Sequence, residues 1–64
     1  MLRNNLFNLM NQVVQESKSL WRIKNEYMQE SVGSDDIMGM WKKLEKQKED
    51  TVKELQDLIK KHNA

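Results

Sequence analysis

Residues 31–41 read SVGSDDIMGMW, the only stretch of this 64-residue chain that interrupts a helical pattern. The stretch holds both glycines, Gly33 and Gly39, and the adjacent acids Asp35 and Asp36. Gly33 suits the left-handed conformation that ends a helix. Ser34 or Asp35 can then cap the next helix, with the acids favourably placed at its N-terminal dipole. Lys60 and Lys61 stand near the other end, where positive charge is favoured. A calcium loop would need alternating oxygen ligands over about a dozen residues, which two adjacent acids do not supply. The stretch therefore reads as a turn, and the spacing predicts a helix over about 4–31, a turn at 32–35 and a helix over about 36–62. Gly39 is left unexplained by the turn. Inside a helix it costs roughly 1 kcal/mol against alanine, unless it admits another backbone or sits in a frayed first turn.

Outward from the turn, both halves are amphipathic. In the first, Leu2, Leu6, Leu9, Val13, Leu20, Ile23 and Tyr27 form one row and Phe7, Met10, Val14, Trp21 and Met28 a second row beside it. In the second, Ile37, Met38, Trp41, Leu44, Thr51, Val52, Leu55, Leu58 and Ile59 share a face. Lys42 with Glu45, Lys46 with Glu49 and Asp50, and Glu49 with Lys53 are spaced by three or four residues, as on a solvated helix surface. Two adjacent rows make an apolar face wider than a two-stranded coiled-coil seam. One hairpin cannot cover all of Phe7, Met10, Val14, Trp21, Met38, Trp41, Val52 and Ile59. These eight are the expected dimer interface of an antiparallel two-helix hairpin that pairs into a four-helix bundle.

The chain has no proline, which favours long helices, and no cysteine, which removes disulfides and thiolate metal sites. So short a domain needs another source of stability, and a partner chain or a carboxylate-bound metal remains. Its 11 basic and 10 acidic residues give a net charge of +1, too little to imply nucleic acid or an anionic membrane as partner. No apolar run approaches the ~20 residues of a membrane span, and the first dozen residues do not form a signal peptide. A soluble cytoplasmic protein is expected.

Both apolar rows fail in the middle. Glu16 and Ser17 stand where apolar residues should fall in the first helix, and Lys48 lies between Leu44 and Thr51 in the second. Folding about Gly33 brings these positions to one level. Glu16, Ser17, Lys48 and Thr51 therefore read as a buried polar layer, which can set register and partner choice without adding much stability.

Mid-helix carboxylates on an inner face are also how ferritin-like proteins hold two metals. The second half, with Trp41, Leu44 and then EKQKEDTVKELQDLI, resembles the second helix of a ferritin-like or rubrerythrin-like hairpin. In that frame Lys48 stands where the family's Glu would be and Thr51 where its His would be. Glu16 takes the place of the first-helix Glu, with Trp21 five residues on. The resemblance implies a ferritin-like hairpin that has lost its metal site, because a lysine ammonium repels a cation and a threonine is a poor substitute for histidine.

His62, the only histidine, lies at a helix end, and the chain has none of the nucleophile–base sets or metal motifs that need Cys or several His. No enzyme activity, cofactor or bound metal is expected. The expected function is a non-catalytic, self-associating structural or protein-interaction module. The alternatives are a small regulator that binds a helix of a larger partner, and a Rop-like RNA-binding hairpin dimer, which the evenly mixed charge disfavours.

Overall fold

In a computed structural model, which describes residues 2–62, the chain is an all-helical antiparallel hairpin 47 Å long and about 15 Å across. The first arm runs as α1 (Leu2–Arg22), a π-helical segment (Ile23–Tyr27) and a last α-helical turn, α2 (Met28–Glu30). The second arm is the single helix α3 (Asp35–His62). The side chain of Leu2 lies outside the described residues.

The turn has the physical basis read from its residues. Gly33 has φ +94°, a conformation that side-chain-bearing residues rarely adopt. The Ser34 N–H donates to the Ser31 carbonyl at 3.0 Å and closes the turn. The Met38 N–H donates to the Ser34 carbonyl at 2.9 Å, so Ser34 takes the backbone role of an N-cap. The side chain that meets a first-turn amide is neither the Ser34 hydroxyl nor the Asp35 carboxylate. It is Asp36, whose Oδ1 accepts from the Ile37 N–H at 2.9 Å. Lys60, Lys61 and His62 close the last turn of α3.

Gly39 is exposed, and a Cβ built on it would meet nothing within 4 Å. No backbone of the hairpin approaches it. Gly39→Ala is therefore expected to raise stability by about 1 kcal/mol, read as a higher thermal midpoint. A lower midpoint would mean that another chain packs closely there.

The two arms meet along a seam with steps of three and four residues. Leu6, Leu9, Val13, Glu16, Leu20, Ile23 and Tyr27 face Ser34, Met38, Trp41, Glu45, Lys48, Val52, Leu55 and Ile59, and all of these are at least half-buried. This is the spacing of an antiparallel coiled coil.

The π-helical segment is not foreshadowed by the periodicity. Continued as plain α-helix, the seam would run from Tyr27 to Glu30 and place a carboxylate against Trp41. Instead the Met28 N–H reaches back five residues to the Ile23 carbonyl, inserting one extra residue into the turn. The insertion moves Glu30 out to solvent and brings Ser31 inward, where it is only 7% exposed. Asn25 supports the bulge: its Nδ2 donates to the Trp21 carbonyl at 2.9 Å. Burying a serine that can be fully hydrogen-bonded costs far less than burying a carboxylate.

The result is a lock at the closed end of the hairpin. Trp41 Nε1–H donates to Ser31 Oγ at 3.0 Å, and Ser31 Oγ–H donates onward to the Tyr27 carbonyl at 2.7 Å. The Tyr27 and Trp41 rings pack with centroids 4.9 Å apart. Ser31→Ala would leave the indole N–H without its acceptor and should lower stability by about 1 kcal/mol. A change in the Trp41 indole proton resonance together with a lower melting temperature would show it. An unchanged indole resonance would exclude the hydrogen bond.

Candidate functional site

The polar layer stands at mid-seam. Lys48 Nζ lies 2.8 Å from Glu16 Oε2, and the two side chains are 26% and 19% exposed. Gln12 Nε2 donates to the other Glu16 oxygen at 3.1 Å, so both carboxylate oxygens are satisfied. The hydrogen bond from Lys48 holds the Glu16 carboxyl below the usual carboxylate range, aided by Gln12 and by the Lys48 charge, while partial burial pushes the other way.

Two members expected in this layer lie outside it. Ser17 and Thr51 are exposed, and the Thr51 hydroxyl donates to the Gln47 carbonyl of its own helix at 2.9 Å. Ser17 comes one residue after the seam position Glu16 and Thr51 one residue before Val52, and one residue on a helix is a rotation of about 100° away from the seam.

A depressed carboxylate pKa stabilises the fold above the unfolded value and loses that contribution as pH falls through the folded one. The part of stability that depends on Glu16 should therefore be complete above pH ~4.3 and fade below it. In the Glu16→Leu, Lys48→Met double variant this component should vanish while the helices persist, because replacing even a fully buried pair with apolar groups is often neutral or stabilising and this pair is only part-buried. Thermal melts from pH 7 to 3 would check this. An identical acid response in the two proteins would show that the pair does not couple to folding.

The layer does not have the chemistry of a metal site. Among the described residues no group of three or more His, Cys, Asp or Glu is placed to hold an ion. The Lys48 ammonium already lies against Glu16, and Thr51 points elsewhere. His62 is exposed in the last turn of α3, at the far end of the helix from Trp41. No helix among the described residues is long and apolar enough to cross a membrane.

The eight residues expected at an interface divide into two groups. Met38, Trp41, Val52 and Ile59 are half-buried in the seam between the arms. Phe7, Met10, Val14 and Trp21 remain 69%, 44%, 48% and 57% exposed. These four make a row along α1 with nothing over it.

A second exposed row, with Ile37 and Leu58 at 49% and 44%, runs along α3. The two rows lie on opposite sides of the hairpin. Lys24 is seven residues beyond Ser17 and so marks the flank of α1 that carries the Phe7–Trp21 row. Its ammonium reaches Glu49 at 3.7 Å and Glu45 at 3.9 Å. Glu49, with Lys42 and Gln56 seven residues to either side, therefore marks the flank of α3 on that same side. Ile37, Leu44, Thr51 and Leu58 follow the opposite flank. The hairpin thus has one row on each side, not the one wide face that the periodicity suggests.

No family model, curated protein or solved structure matches this chain.

Proposed function

We propose that this chain is a non-catalytic interaction module: a helical hairpin that associates with a second copy of itself, giving a four-helix assembly. The observation that carries this reading is the poverty of the hairpin's own core. Among the described residues Ile23 is the sole buried apolar side chain, while Phe7, Val14 and Trp21 stand about half exposed or more. A 64-residue chain without disulfides has little else to offset the entropy of ordering it. Association that covers the α1 row would bury those groups and link folding to assembly, as in obligate dimers.

Within this reading the Glu16–Lys48 pair occupies the level at which a ferritin-like hairpin would hold metal, with the ammonium in place of the cation. The chain would then retain the framework of such a hairpin without its ligands.

Native mass spectrometry of protein purified without added metal tests both parts. Two chains with nothing bound is the expected mass. Two chains carrying iron, manganese or zinc would overturn the loss of the metal site. A single chain at micromolar concentration would overturn self-association and leave the row to a helix of a larger partner.

A further inference from the structure

We infer that the two copies meet through their first arms alone, α1 against α1, antiparallel and crossing near Val14, with the α3 helices outermost. This rests on the self-association proposed above and adds the face and the direction. Three observations lead to it.

The first is charge. Residues 4–15, NNLFNLMNQVVQ, contain no charged side chain. The exposed positions around the apolar row there are amides: Asn4, Asn8, Asn11 and Gln15. Asparagine is a poor helix former, so these residues are not chosen for helix stability. Depletion of charge around apolar anchors, with a neutral polar rim, is the composition of an interface core. From Lys42 onward, by contrast, α3 carries charge in every turn. The α3 flank on the same side as the α1 row holds Lys42, Lys46, Glu49 and Lys53, a surface suited to water.

The second is direction. Phe7, Val14 and Trp21 fall at seven-residue steps, aromatic, aliphatic, aromatic, so the row reads nearly the same in either direction. An antiparallel copy brings Phe7 towards Trp21 of the other chain and Val14 towards its own counterpart. Antiparallel packing also opposes the helix dipoles. Lys18 and Arg22, with the single acid Glu26, lie beside the Trp21 end and leave it net positive. A parallel pair would set these cations against their copies, whereas an antiparallel pair sets them over the neutral Asn4–Asn11 segment.

The third is angle. The row lies one residue, about 100°, round the helix from the seam that faces α3. A partner seated on it holds the two α3 helices apart and leaves the Ile37–Leu58 row on the outside.

The chain has no cysteine, so single-cysteine variants give an unambiguous test with a short bis-maleimide linker. Val14→Cys should cross-link to a covalent dimer, and so should Ser17→Cys, which removes no apolar group. Phe7→Cys should not, because its two copies would stand about 21 Å apart along the axis at 1.5 Å per residue. Leu58→Cys should not either. Equal linking through Phe7→Cys and Val14→Cys would overturn the antiparallel direction. Linking through Leu58→Cys, or failure at both Val14 and Ser17 in a protein of dimeric mass, would overturn the α1 face while self-association stands. A monomeric mass for the unmodified chain would sink both readings.

Discussion

Val14→Lys is expected to break the assembly and, with it, most of the helical signal. Val14 sits at the centre of the exposed α1 row and is 48% exposed in the single hairpin. In a dimer crossing there, each copy would bury an ammonium with no carboxylate nearby, since the nearest residues along the row are Met10 and Ser17. An unpaired charge at a desolvated interface costs several kcal/mol. Two such charges near a two-fold axis also repel each other. At 1.4 kcal/mol per tenfold change, dimer affinity should fall by roughly a hundredfold or more. Because the hairpin has so little core of its own, helicity should fall with it and no longer depend on concentration. Leu58→Lys, on the opposite flank, is the matched control and should leave the mass and the circular dichroism nearly unchanged. A Val14→Lys protein that stays dimeric and helical would remove the α1 row from any account of assembly.

Ile23→Ala should have the next largest effect, on stability rather than association. Ile23 is 2% exposed, starts the π-helical segment, and its carbonyl accepts the five-residue hydrogen bond from Met28. Truncating a fully enclosed isoleucine costs about 2–4 kcal/mol, depending on how far the neighbours relax. In a domain of this size each kcal/mol shifts the midpoint by about 4–8 °C, so a fall of 10 °C or more is expected in thermal melts. A shift of only a few degrees would show that the closed end of the hairpin is held by the Trp41–Ser31–Tyr27 lock and not by this side chain.

The two variants probe different levels of the same design. Ile23 belongs to the contact of the arms with each other, and Val14 to the surface they leave over. A protein that depends on both should unfold with a midpoint that rises with concentration for the parent chain and for Ile23→Ala, but not for Val14→Lys.

Much of the hairpin was legible along the chain because its causes are local. The three-and-four spacing from Leu6 to Ile23, the absence of proline and the lone pair of glycines specify two long helices and a turn. The turn chemistry is equally local: φ +94° at Gly33 is what a helix-ending glycine is for. Glu16 and Lys48 could be paired from their similar distances to that turn, because an antiparallel hairpin makes sequence distance a measure of height. Ser17 and Thr51 were misplaced by the same rule. It gives level but not azimuth, and one residue is enough to leave the seam.

The π-helical insertion was not legible, because its cause is non-local. Nothing in IKNEY by itself favours an extra residue in the turn. The competition is between Glu30 and Ser31 for the place opposite Trp41, which exists only once the arms are folded together. A carboxylate due at a core position two residues before the turn is the signal that could have pointed to it.

The period of the apolar residues was sufficient to establish helix, turn and hairpin, since each depends on neighbours within a few residues. Which flank faces which was decided by tertiary structure alone. Antiparallel helices bring particular flanks together, as Lys24 shows by reaching Glu49. That pairing turns two apolar rows, which share a face on paper, to opposite sides of the molecule.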